Sequence, residues 1–199
     1  MKTQCTTIVA IMFLSTLAGC TSITAETVKL DTAAHAAKTE ASLEGLIGGY
    51  KQWTRVNPEP EFVPDRLAIQ CAAVVPNQLE MEKANPHKDK FITVYVNRFG
   101  TKAMMNDKKP VFPQGSVIVK EKLTNKDSAS PELLTVMIKR EPGFNPENGD
   151  WEYMAVDGAG KQVLSRGKLE KCQACHTIAN YTDFVYRSYL PTGTYEKMK

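Results

Sequence analysis

Near the C-terminal end of the 199-residue chain stand two cysteines and a histidine, in Cys172-Gln173-Ala174-Cys175-His176. Cys-x-x-Cys-His is the spacing by which a chain attaches a c-type haem. The thiols add to the haem vinyl groups as thioethers, and the two-residue gap matches the vinyl spacing along one side of the porphyrin. The histidine beside the second cysteine falls beneath the iron as its proximal ligand. Three other chemistries use these residue types. A structural zinc site wants four ligands, and the remaining histidines, His35 and His87, are isolated and far apart. A thioredoxin-like pair wants a preceding strand in a βαβ unit, whereas Gly167-Lys168-Leu169-Glu170-Lys171 reads as a helix start. A plain disulfide leaves His176 without a role. Covalent haem, one per chain, is favoured over all three.

The other cysteines fit an exported protein. Lys2 and the apolar run Ile8 to Leu17 read as a signal peptide over residues 1–19. The run ends in Leu17-Ala18-Gly19-Cys20, which resembles the bacterial lipobox, so Cys20 is the expected lipidation site and new N-terminus. Its acyl chains would hold the protein to a membrane without a protein span. Thr21, in place of an acid, leans toward the outer membrane, on the periplasmic side. Cys5 is lost with the signal. Cys71, between Ala68-Ile69 and Ala72-Ala73-Val74-Val75, reads as a buried thiol. Residues 20–40, rich in Thr, Ala, Lys and Glu, form a lipid-anchored tether to a domain over 41–199.

Composition sets outer bounds. A hydrophobic fraction of 42% and a charged fraction of 24% are ordinary for a folded domain. A net charge of +3 gives no reason to expect a nucleic-acid partner. Beyond residue 20 no apolar run approaches the length of a transmembrane helix.

Positioning the haem motif falls to a set of strands. Ala41 to Trp53 carries apolar residues at helical spacing, weakened by Gly48-Gly49, and residues 57–64, with Pro58, Pro60 and Pro64, read as an extended loop. Phe91 to Val96, Ser116 to Leu123, Leu133 to Lys139, Trp151 to Val156 and Lys161 to Ser165 read as about five strands. Gly100 to Met105 reads as a short helix. Hairpin-like connections predict an α+β fold, a predominantly antiparallel sheet with flanking helices and the haem on a C-terminal helical segment. Small electron-transfer cytochromes c instead carry the motif near the N-terminus of an all-helical fold.

The ordered set of motifs resembles the cytochrome P-460 family, with its related cytochromes c′-beta, over roughly residues 45–191. The resemblance rests on Thr93-Val94-Tyr95-Val96-Asn97, on Phe112-Pro113-Gln114-Gly115-Ser116 running into Val117-Ile118-Val119-Lys120-Glu121, and on Gly149-Asp150-Trp151-Glu152-Tyr153. Cys172-x-x-Cys175-His176 and Thr182-Asp183-Phe184-Val185 complete it. It implies a homodimer and one five-coordinate haem c whose open face takes hydroxylamine or nitric oxide, with a partner cytochrome for the electrons. It also implies a lysine bonded to the macrocycle, here Lys120. Strand alternation puts Ser116, Ile118, Lys120 and Lys122 on one face and Val117, Val119 and Glu121 on the other, so Lys120 shares a face with Ile118. Without the resemblance, Lys120-Glu121-Lys122 reads as solvated charge.

One departure bears on activity. Where family members carry a distal carboxylate for proton transfer, alignment puts Thr135 or an apolar neighbour, while Glu132 and Glu141 fall at strand ends. His87 is a candidate distal base, although a loop histidine after Pro86 is the simpler expectation. Trp53, Tyr95, Trp151 and Tyr153 read as core or haem-edge packing, and Met104-Met105 as gap-filling core rather than axial sulfur. Two function classes remain. One is a haem oxidoreductase acting on hydroxylamine or nitric oxide. The other is a non-enzymatic haem protein that binds nitric oxide or carries electrons.

Overall fold

The computed structural model describes residues 42–63 and 87–198. The expected signal peptide, Cys20, the tether, His35 and Cys71 lie outside the described residues. No described helix is long and apolar enough to cross a membrane.

The core is a seven-stranded antiparallel sheet. Its strands are β1 (Thr54–Arg55), β2 (Glu61–Val63), β3 (Lys90–Val96), β4 (Val117–Leu123), β5 (Leu133–Lys139), β6 (Trp151–Asp157) and β7 (Val163–Gly167). From β3 to β7 each strand pairs with the next in sequence. The central strands are rich in Val, Ile, Tyr and Trp, side chains that fit a pleated, buried surface. Strands β1 and β2 were not expected. They pair with opposite ends of β3, Thr54 against Val96 and Phe62 against Phe91. Pro58 and Pro60 between them cannot donate to a ladder, so the segment makes two short edge strands instead of one long one.

The helix expected over 41–53 is broken. It comprises α1 (Leu43–Ile47), a turn at Gly48-Gly49 and a 3₁₀ turn at Tyr50–Gln52. Ser42 caps α1 by accepting from the Gly45 N–H at 3.0 Å. Gly49, with φ of 71°, takes a left-handed conformation that reverses the chain. The short helix α2 (Thr101–Met105) lies within its expected range, and α3 (Glu170–His176) follows β7 directly.

Both faces of the sheet are covered, so β4 is buried along its whole length. The two cores nonetheless keep the alternation read from sequence. Ile92, Val94, Val96, Ile118, Met137, Trp151 and Tyr153 pack on one face with α2 and the C-terminal segment. Val117, Val119, Leu134, Val136 and Ile138 pack on the other beneath α1. Cross-strand register aligns Val94, Lys120, Thr135 and Ala155 in one row, and Val96, Ile118, Met137 and Tyr153 in the next. Charge on the α1 face is paired. Glu121 accepts from the Tyr50 hydroxyl at 2.7 Å and lies 3.4 Å from Lys51. Glu152 meets Arg140 at 2.7 Å and Arg166 at 2.8 Å.

The β6–β7 hairpin depends on a close approach. A Cβ on Gly158 would overlap the Pro131 carbonyl oxygen, which is backbone and cannot turn aside. Gly158→Ala is therefore expected to destabilise the fold by roughly 1–3 kcal/mol, read as a lower urea midpoint at unchanged slope.

Candidate functional site

Helix α3 carries the whole Cys-x-x-Cys-His motif. Residues at i, i+3 and i+4 share a helix face, so Cys172, Cys175 and His176 point together toward the sheet. Gln173 locks the helix in place. Its side-chain oxygen accepts from Asn145 Nδ2 at 2.9 Å and its amide donates to Lys168 O at 3.0 Å. Both cysteines are half-buried thiols rather than a disulfide. Burial pushes the Cys172 thiol pKa up, opposed by the nearby Lys122 charge.

His176 is buried and tightly oriented. Its Nδ1 lies 2.7 Å from the Phe184 carbonyl oxygen, which can only accept. Nδ1 therefore carries the proton, and Nε2 is left as the lone-pair nitrogen. Tyr153 and Tyr186 pack against the ring, each with centroids 5.3 Å away. The Tyr186 hydroxyl in turn donates to the Cys175 carbonyl at 2.8 Å, tying the clamp to the helix. Burial, then the charge of Lys120, pulls the His176 pKa down to about 3, against the Phe184 hydrogen bond. The ring is a neutral imidazole at any ordinary pH, with Nε2 able to ligate a metal.

Between α3 and the sheet lies a cavity of about 1020 Å³, its open mouth included. Cys172, Cys175, His176 and Ile178 line one side; Ile118, Lys120, Thr135, Met137 and Tyr153 form the sheet floor; Tyr186, Ser188 and Tyr189 close the far side. Lys120 is buried, and its ammonium sits 4.8 Å from the Tyr189 ring centroid and 5.9 Å from that of Tyr186. The lysine expected beside the motif is thus in the same cavity as the thiols and the imidazole. Two buried hydroxyls on the floor, Thr135 and Tyr153, have no hydrogen-bond partner among the described residues. A buried hydroxyl without a partner is costly, and both line the space where a bound group would lie.

Other expectations are corrected or bounded. His87 is a turn residue, but it also lines the cavity, because the turn before β3 brings it over the sheet edge. Burial, then Lys120, Lys122 and His176, holds its pKa well below the usual imidazole value. Glu132 stays at its strand end, bonded to Lys90 at 2.9 Å, and Glu141 sits exposed beside Arg140. Met104 is core and Met105 packs against it. The roles of Tyr186 and Tyr189 were missed; their spacing after the motif carries no local signal that they meet Lys120 of β4. Lys122, which strand alternation puts on the Lys120 face, is fully buried there.

The donors fit a haem: two thiols on one helix face, a neutral oriented imidazole, and an open cavity floored by apolar side chains and partnerless hydroxyls. This is the class of protein that the fold and site define, a sheet-based haem pocket. The Cytochrome P460 family model matches residues 48–187, and the chain belongs to that family. Its cofactor is accordingly a haem. Among curated proteins, none matches the chain.

Burial lowers the Lys122 pKa to about 8 from an ordinary 10.5. In that interval the unfolded chain binds more protons, so stability rises with pH through it, and below it the burial cost is carried in full. A shift of this size corresponds to about 3 kcal/mol. Lys122→Met is expected to raise the unfolding free energy at pH 7 by on the order of 2–3 kcal/mol. It should also flatten the dependence between pH 8 and 10.5, as read by urea denaturation across pH.

Proposed function

We propose that the protein is an exported monohaem c-type cytochrome that binds or oxidises small nitrogen species, hydroxylamine or nitric oxide, at an open iron face. The observation that carries this reading is the burial of Lys120 in the same cavity as Cys172, Cys175 and His176. In this reading Cys172 and Cys175 would hold the haem as thioethers, each S–H added across a vinyl C=C with no net change of oxidation state. His176 Nε2 supplies the single protein ligand. The haem supplies the redox-active iron. Lys120, held against Tyr186 and Tyr189, would be the residue that joins the edge of the haem. Replacing a ring C–H by C–N is an oxidation, so that bond needs an oxidant such as a peroxide.

His87 supports the enzymatic form of the reading. It is a neutral nitrogen base at the cavity, able to take the protons that hydroxylamine must lose. Thr135 favours a second reading, gas binding or electron transfer without turnover, because a hydroxyl stands in the sheet row where a carboxylate would serve as acceptor. The signal-like residues 1–19 and Cys20 support export and lipid anchoring, and membership of the family supports a partner cytochrome as electron acceptor and a homodimer as the assembly.

The first test is the absorption spectrum of the reduced protein with peptide mass analysis. A strongly red-shifted Soret band is expected, with the Lys120 peptide joined through haem to the Cys172–Cys175 peptide; Lys120→Met should restore an ordinary c-type spectrum. Protein purified without covalent haem would overturn the reading. His87→Ala separates the two forms. If the protein turns hydroxylamine over, the variant should lose roughly 100-fold or more in kcat with an unchanged resting spectrum. Turnover that is unaffected in the variant removes His87 as the base, and no turnover in the parent protein favours the second reading.

A further inference from the structure

The carbonyl that orients His176 is carried by an unusual loop. Asp183 and Phe184 are consecutive non-glycine residues with φ of 54° and 63°. Left-handed backbone is sparsely populated by such residues and persists where surrounding structure over-determines it. Asp183 makes the contacts that do so. Both of its carboxylate oxygens lie 2.7 Å from Lys139 Nζ, at the end of β5. Its Oδ2 also accepts from the Phe112 N–H at 2.8 Å. Its own carbonyl accepts from Trp151 Nε1 at 2.8 Å, on β6. The Lys139 ammonium in turn sits 5.1 Å from the centroid of the Trp151 ring. Asp183 and Lys139 side chains are each only 12% exposed. Three separate parts of the sheet side therefore converge on the residue next to Phe184, whose carbonyl receives the His176 proton at 2.7 Å.

We propose that Asp183, held by Lys139, is a positioning residue that sets the strength of the His176 Nδ1–H to Phe184 carbonyl hydrogen bond, and through it the electron donation of Nε2 to iron. This rests on the reading of His176 as the iron ligand. A strong hydrogen bond from Nδ1 gives the ring anionic character, which favours ferric iron and strengthens the iron–histidine bond. Releasing the loop lengthens that hydrogen bond and reverses both effects. The ion pair thus tunes the iron from a distance without touching the cavity.

The test uses the haem-loaded protein. Asp183→Asn retains side-chain shape and tolerance of left-handed backbone while removing the charge that pairs with Lys139. Lys139→Met removes the pair from the other side, and Lys139→Arg restores it. The iron–histidine stretching frequency of the ferrous protein by resonance Raman and the reduction potential by spectroelectrochemistry are the readouts. Asp183→Asn and Lys139→Met should each lower the frequency and raise the potential, and Lys139→Arg should return both toward the parent values. Folded variants with unchanged frequency and potential would sink the proposal while leaving the haem reading intact. If the parent protein shows no iron–histidine band, or His176→Ala leaves the band in place, the reading of His176 fails and the proposal falls with it.

Discussion

His176 lies beneath the sheet, away from water, and its orientation depends on one hydrogen bond to a backbone carbonyl. A buried imidazole with a single fixed acceptor has one tautomer, one exposed lone pair and no charge. Much of the surrounding structure can be traced to keeping that arrangement. Two tyrosines hold the ring from either side, one of them also bonded to the motif's own backbone. The loop supplying the carbonyl is strained and is tied down by groups from β5, β6 and the segment before β4.

The sheet makes this possible by being covered on both faces. A sheet with one wet face would leave β4 half exposed, and Lys120 and Lys122 would turn to solvent. Here the face that bears them is roofed by α3 and the C-terminal segment, so both amines are held among aromatic and aliphatic groups. Burying lysines is unfavourable, and tyrosine ring faces stand beside the Lys120 ammonium. On the opposite face the same strand's Glu121 is conventionally paired with Tyr50 and Lys51. The Thr135 and Tyr153 hydroxyls, without hydrogen-bond partners among the described residues, mark the cavity face as the one where polar groups are kept for a bound group.

Local chemistry was legible where it depended on spacing. Cys172, Cys175 and His176 share a helix face because of their separations, and Ile118 and Lys120 share a sheet face because strands alternate. The strands from Phe91 onward were readable from their β-branched runs. The helix expected over 41–53 and the loop expected over 57–64 were misread because their outcome depended on neighbours. Gly49 breaks the first, and β3 recruits Glu61–Val63 of the second as an edge strand through backbone bonds that side-chain pattern does not encode. His87 looked like an ordinary loop residue for the same reason, since a turn's destination is set by the sheet edge it meets.

By itself the sequence determined the Cys-x-x-Cys-His motif, the strand content and the face on which Lys120 lies, because those follow from covalent spacing and the fixed periods of helix and strand. Tertiary structure alone decided that Lys122 is buried, that His87 reaches the cavity, that Tyr186 and Tyr189 frame Lys120, and that Asp183 anchors the loop behind His176. These last relations join residues far apart in the chain, Asp183 and the Phe112 backbone being 71 positions apart, and only the packing of the sheet against α3 and the C-terminal segment brings them together.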